Sequence, residues 1–252
     1  MSFSEWITSS AENPAINGRW GWLHITTLIL CIAIIVTLSL VFYKRSDKSK
    51  RIVLWILAGL IFVFEITRRI VNFVRATDIT FDFVLWNLLP RPWCAISCWV
   101  VMASLFVNKK FFYNFVSVTS LLCTIIFFAY PAVGFNNKYI LFENLYSIVT
   151  HSLLLISSIL LITFKFTDFK YRTIWKEAIC LAAIIVYAIL EIYVLKIEAD
   201  PMYFMPGNDA QIVFGLSYAA YIPLYIIVIF AYCNAFYLIG DRNRVFKKRI
   251  KK

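Results

Sequence analysis

The chain has 252 residues, of which 62% are hydrophobic, 18% aromatic and only 15% charged, with a formal net charge of +11. Soluble domains are about 45–50% apolar and about 25% charged, so the composition excludes an ordinary soluble domain and specifies an integral membrane protein. A positive charge this size indicates nucleic acid only where it forms a patch, and its placement along the chain shows a different logic.

A membrane-crossing helix needs about 20 apolar residues. Residues 1–19 are polar, broken at Asn13-Pro14 and Asn17-Gly18, and are read as an external N-terminal segment without a cleavable signal. Seven apolar spans follow, at 20–43, 52–74, 93–107, 111–133, 146–164, 174–195 and 212–239. Residues 20–239 form one all-α, seven-helix transmembrane domain, and 240–252 are a basic tail. The third span is the shortest and is entered through Pro90-Arg91-Pro92, an irregular lead-in that protein or water must satisfy.

The basic residues alternate with these spans. The 44–51 loop, Lys109 and Lys110, the 165–177 region and the tail together hold 18 Lys/Arg against four acids. The opposite side holds five (Arg19, Arg75, Arg91, Lys138 and Lys196) against eight acids. This is positive-inside sorting, so the N-terminus is expected outside and the C-terminus in the cytoplasm. No nucleic-acid partner is expected, and the tail suits anionic headgroups.

Depth can be counted from the cytoplasmic edge at 1.5 Å per residue. Glu65, Cys94 and His151 each lie 13 residues above that edge of their spans, at about 20 Å in a core of about 30 Å. Glu191 falls at about 20–26 Å. Glu65, Arg68, Arg69 and Asn72 occupy one helical face. A charge at the bilayer centre costs at least about 2.5–3.5 kcal/mol on insertion scales, so that face must look inward. It serves either as a structural Glu65–Arg69 lock or as part of a site, and Arg68 and Arg69 are also placed to snorkel outward. Glu191, with Tyr187 one turn earlier, is either a buried hydrogen-bonded carboxyl or a supporting group. His24 is read as interfacial.

The six cysteines (Cys31, Cys94, Cys98, Cys123, Cys180 and Cys233) all fall in apolar segments, in no disulfide or zinc pattern. Cys94 and Cys98 with one histidine make a poor metal set, and no metal or cofactor is expected. Cys94 with His151 is sharper, because a thiol becomes a nucleophile when a base or cation activates it. The prolines start the third span, and Cys94 sits in its first turn, where an anion is favoured.

Leu89-Pro90-x-x-Trp93-Cys94, the run Phe142 to Leu153 with His151-Ser152-Leu153, their 57-residue spacing, and the late Pro201, Gly207-Asn208 and Tyr221–Tyr225 segments resemble the YwaF-like integral membrane family, which is related to vertebrate transmembrane phospholipid acyltransferases. The resemblance implies a cysteine and a histidine, matching Cys94 and His151, as the working pair. It also implies a bacterial cytoplasmic membrane with the site toward the outer leaflet.

The expectation is therefore an acyltransferase. Cys94 takes an acyl chain from an outer-leaflet phospholipid as a thioester, with His151 as general base. A lysophospholipid or a lipoprotein N-terminal amine accepts the chain. Glu65 and Glu191 support or orient, and Arg68, Arg69, Arg75 and Arg91 bind the headgroup phosphate. Two alternatives stand beside it: a transporter or channel using the intramembrane Glu/Arg cluster, and a seven-helix sensor.

Overall fold

A computed structural model describes residues 3–8, 20–90, 93–129, 134–135, 140–196, 205–207, 211 and 215–250. Among the described residues every regular element is a helix: α1 (Phe3–Thr8), α2 (Trp22–Phe42), α3 (Asp47–Arg75), α4 (Phe81–Leu88), α5 (Trp93–Val107), α6 (Lys110–Ala129), α7 (Phe142–Thr163), α8 (Ile174–Ile189) and α9 (Tyr218–Ile250). A short 3₁₀ turn, Tyr171–Thr173, leads into α8, and a wider π turn, Leu190–Val194, continues it. Arg91, Pro92, Pro201, Asn208 and the start of the expected last span lie outside the described residues, as does most of the expected N-terminal segment.

Five helices are long and apolar enough to cross a membrane, and α4 with α5 makes a sixth if that bent pair is one span. The remaining expected span, 52–74, lies within α3. At 29 residues α3 is long enough, but Glu65, Arg68 and Arg69 break its apolar run. It also starts earlier than expected. Ser46 caps it by accepting from the Ser49 amide at 3.3 Å, and Lys48, Lys50 and Arg51 of the loop lie at its start. α4 was not expected. Thr80 caps it, accepting from the Phe83 amide at 3.1 Å, and it meets α5 at 59°. α9 runs on through the basic tail instead of stopping at 239.

The centre of the molecule is α3, α5, α6 and α7. Leu54, Leu57, Ala58 and Ile61 of α3 recur at helical spacing and meet Cys98, Val101 and Leu105 of α5, Val116 of α6, and Leu153, Leu154, Leu160 and Leu161 of α7. Glu65 and Arg69 continue the same buried stripe of α3. α2, α8 and α9 expose most of their apolar side chains, Ile29, Leu40, Ile179, Val186, Ile227 and Phe230 among them. In water such faces would be untenable; hydrocarbon accepts them.

Side-chain bonds gather the basic segments at one end. Arg51 donates to the Tyr113 hydroxyl at 3.2 Å. Asn114 exchanges bonds with the Asp168 backbone at 3.1 and 2.8 Å. The Tyr171 amide donates to Asp241 at 3.1 Å. Gly240 lets α9 close on this end, since a Cβ there would lie 2.5 Å from the Phe169 Cβ. At the opposite end Trp6 of α1 donates its indole N–H to the Ile140 carbonyl at 2.7 Å.

Candidate functional site: a buried Glu–Arg–Tyr cluster beside Cys94 and His151

Glu65 is the hub. It is fully buried, and its two oxygens are approached by three helical neighbours from two elements. Arg69 Nη1 donates to Oε2 and, at 2.9 Å, to the Glu65 carbonyl. Arg68 Nη2 lies 3.6 Å from Oε2. From α7, the Tyr146 hydroxyl donates to Oε1. Each arginine also lies over an aromatic ring: Arg68 is 5.4 Å from the Tyr146 centroid, and Arg69 is 5.2 Å from that of Trp99. These contacts hold both guanidinium groups inward, so neither snorkels freely.

The pairing leaves donors over. Among the described residues Nε and Nη2 of Arg69, Nε of Arg68, and the indole N–H groups of Trp93 and Trp99 are buried without a hydrogen-bond partner. A buried polar group left unpaired costs about 1–3 kcal/mol, and more when charged. The donors of Arg68, Arg69 and the Trp99 ring that Arg69 overlies form a local excess of buried, unpaired donors suited to an oxyanion, whereas Trp93 packs separately with Phe115 and Ile184.

Cys94 is half-buried at the start of α5. Its own amide and that of Ala95 face the sulfur, and Glu65 and Arg68 act on it electrostatically. Cys98 and Cys123 are neighbouring thiols. Cys123 donates to the Ser120 carbonyl at 3.1 Å, a contact within its own helix. His151 lies in α7, with its ring stacked on Phe127 at 3.8 Å and 7°. Its Nδ1 is 2.7 Å from the Ser147 carbonyl. A carbonyl only accepts, so Nδ1 carries the proton and the neutral ring keeps its lone pair on Nε2. No hydrogen bond joins Cys94 to His151 among the described residues. What they share is Glu65, whose charge acts on both.

The other candidates are placed elsewhere. Glu191 is fully buried in the π turn and accepts from the Tyr187 hydroxyl at 2.7 Å; that hydroxyl is 3.5 Å from the Pro90 carbonyl. Arg75 is committed to α1: Nε donates to the Ile7 carbonyl at 2.6 Å, and Nη1 pairs with Glu143. Arg91 lies outside the described residues. His24 lies in the first turn of α2. It is fully buried among Trp20, Phe128 and Phe135, and accepts from the Trp20 amide at 3.3 Å. Phe128 and Phe135 cover it from a distant part of the chain, which its position near a span end does not reveal. Among the described residues no three His, Cys, Asp or Glu side chains are grouped to hold a metal ion.

Sequence reasoning missed Tyr146, Trp99 and Asn87. Tyr146 is 81 positions from Glu65, and nothing local marks that pairing. It also missed a third buried carboxyl, Glu177, which accepts from Tyr237 at 3.0 Å between α8 and α9.

Residues 19–240 match the family model described as the TMEM164 family. No curated protein and no solved structure matches the chain.

Proposed function

The chain belongs to the TMEM164 family, a family of transmembrane proteins, and we propose that it is a membrane acyltransferase acting on phospholipid through a thioester on Cys94. In this reading α3 crosses the membrane as a seventh span, the N-terminus is outside, and the basic end of the bundle is cytoplasmic. The likeness of the Leu89–Cys94 and Phe142–Leu153 motifs to YwaF-like proteins supports it.

The observation that carries the reading is the set of unpaired guanidinium donors of Arg68 and Arg69, the former acting on the thiol at the start of α5. A phospholipid supplies both halves of the match, a phosphodiester for Arg69 and Arg68 and an ester carbonyl for Cys94. Charge-assisted bonds of this kind are worth about 1.5–3 kcal/mol each.

The steps follow from acid–base roles. Cys94 Sγ attacks the ester carbonyl while its proton passes to His151 Nε2. The C–O bond to the glycerol oxygen breaks, and His151 returns the proton to that oxygen, releasing lysolipid. The acceptor, a lysophospholipid hydroxyl or a lipoprotein N-terminal amine, then attacks the thioester as His151 takes its proton. The C–S bond breaks and the thiol is restored. Cys94 and His151 stand apart without substrate, and catalytic hydrogen bonds commonly tighten only in the substrate complex. Glu65 compensates the arginines and, through Tyr146, ties α7 to α3. Acyl-CoA would meet the opposite leaflet, whereas a phospholipid ester lies alongside.

The test is transfer in vesicles from acyl-labelled phospholipid to lysophospholipid. His151→Ala is expected to slow it by about 10²–10⁴-fold. Transfer at the wild-type rate in that variant would remove His151 from the mechanism.

A further inference from the structure

Among the described residues no carboxylate hydrogen-bonds to His151. Its Nδ1 is 2.7 Å from the Ser147 carbonyl, one turn earlier on α7. That bond sets the direction of the ring but lets its plane tilt about the contact. The plane is set from α6. The Phe127 ring lies face to face with the imidazole, centroids 3.8 Å apart and planes within 7°. At that separation the rings have little room to slide apart. Two neutral rings prefer an offset or edge-to-face arrangement, whereas a cation is drawn to the centre of a ring face, within about 6 Å of its centroid. The geometry therefore suits the protonated ring that forms during transfer. Phe127 is itself held in place. It is buried, and it meets Phe128 at 5.1 Å and Phe135 at 5.7 Å between centroids. Gly134 closes its edge: a Cβ there would lie 2.9 Å from Phe127 Cζ. Gly134 has φ +104°, a conformation glycine adopts without steric cost.

We propose that Phe127 is a positioning residue for His151: its ring face holds the imidazole plane, which keeps Nε2 in one direction, and stabilises the imidazolium formed when Nε2 takes a proton. The inference rests on the acyl-transfer reading above. In that reading Nε2 takes the Cys94 proton and gives it to the departing glycerol oxygen, then takes the acceptor's proton and gives it to the restored thiol. An imidazolium thus stands against Phe127 twice in each turnover, at a residue only 9% exposed. Glu65 acts on His151 without a hydrogen bond, and its carboxylate is already engaged by Arg69, Arg68 and Tyr146. Among the described residues the Ser147 carbonyl and the Phe127 face are left as the groups in contact with the charged ring. An attraction between a cation and a ring face changes a rate by about 2- to 30-fold. Phe127 touches no reacting atom; it acts through His151.

The experiment uses the full chain in lipid vesicles. Phe127 is replaced by Leu and, separately, by mono-, di- and trifluorinated phenylalanine, which keep the ring while draining negative potential from its face. Three quantities are read: kcat and KM for phospholipid transfer, the rate at which diethyl pyrocarbonate modifies His151 and His24 as located by peptide mass spectrometry, and the thermal midpoint. Phe127→Leu is expected to lower kcat by about 10- to 100-fold with KM changed by less than about threefold. It is also expected to speed modification of His151 and leave His24 unaffected. Across the fluorinated series kcat is expected to fall stepwise, by up to about 30-fold, with the thermal midpoint unchanged. A kcat indifferent to fluorination overturns the inference, because a ring that only fills space behaves that way. Faster modification of His24 and His151 together also overturns it, because it reports a loosened helix end and not a freed ring. If Phe127→Leu does not fold, the fluorinated series decides. Modification by diethyl pyrocarbonate needs no turnover. A chain without transferase activity whose His151 reactivity still depends on residue 127 would defeat the acyl-transfer reading and leave the positioning of His151 standing.

Discussion

Glu65→Leu is expected to destabilise the protein by about 3–5 kcal/mol, the cost of breaking a buried ion pair by removing one partner. The reason lies in what remains. Arg69 is 5% exposed, and its Nη1 would lose the carboxylate that now compensates it while Nε and Nη2 already lack partners among the described residues. The Tyr146 hydroxyl, which donates to Glu65 across the α3–α7 contact, would be stranded as well. Glu65→Gln, which keeps an oxygen for Tyr146, should cost less. The double variant Glu65→Leu/Arg69→Met should regain most of the loss, because an apolar pair of similar volume often matches a buried ion pair in stability. Thermal unfolding of the three variants in detergent checks the order. A Glu65→Leu protein as stable as wild type would mean that the pair is wetter and weaker than its burial indicates.

Cys94→Ser is expected to leave the fold in place and lower acyl transfer by at least about 10³-fold, in line with the loss of a nucleophile in enzymes whose catalytic groups act as a unit. Serine preserves shape at a half-buried helix start, but its hydroxyl is a far weaker acid than a thiol, and a single imidazole without an orienting carboxylate activates it poorly. Cys98→Ser and Cys123→Ser serve as controls. Cys123 already donates within its own helix to Ser120, and Cys98 is packed in the core at 1% exposure, so both variants should retain most of the transfer. Loss of transfer in Cys123→Ser with retention in Cys94→Ser would move the nucleophile to the neighbouring thiol.

The legible parts of this fold are those where burial and period coincide. α5 begins at Trp93 as expected, because Pro90 and Pro92 punctuate the chain there. The counted depths expect Glu65, Cys94 and His151 in one layer; in the structure Glu65 pairs with Arg69 and Tyr146, and His151 with the Ser147 carbonyl. α4 escaped notice because eight residues, Phe-Asp-Phe-Val-Leu-Trp-Asn-Leu, are too few to cross a bilayer and show no long period. The early start of α3 was hidden because lysine and arginine are good helix formers, so a charged loop and a charged first turn look alike. Arg75 read as a headgroup ligand from its position at a span end. Its actual partners, the Ile7 carbonyl and Glu143, come from distant segments. The Tyr146–Glu65 and Asn87–Arg69 bonds are non-local in the same way, and no spacing rule reports them. The family match over 19–240 places the chain in a transmembrane family, while the YwaF-like likeness rests on its short motifs.

The central claim is a covalent acyl group on one sulfur, and peptide mass spectrometry of protein incubated with phospholipid in the absence of acceptor tests it most directly. The account predicts a fatty-acyl adduct on the Cys94 peptide that neutral hydroxylamine removes, that an added lysophospholipid discharges, and that Cys94→Ser lacks. Robust transfer with no adduct at Cys94, and with Cys94→Ser fully active, would contradict it.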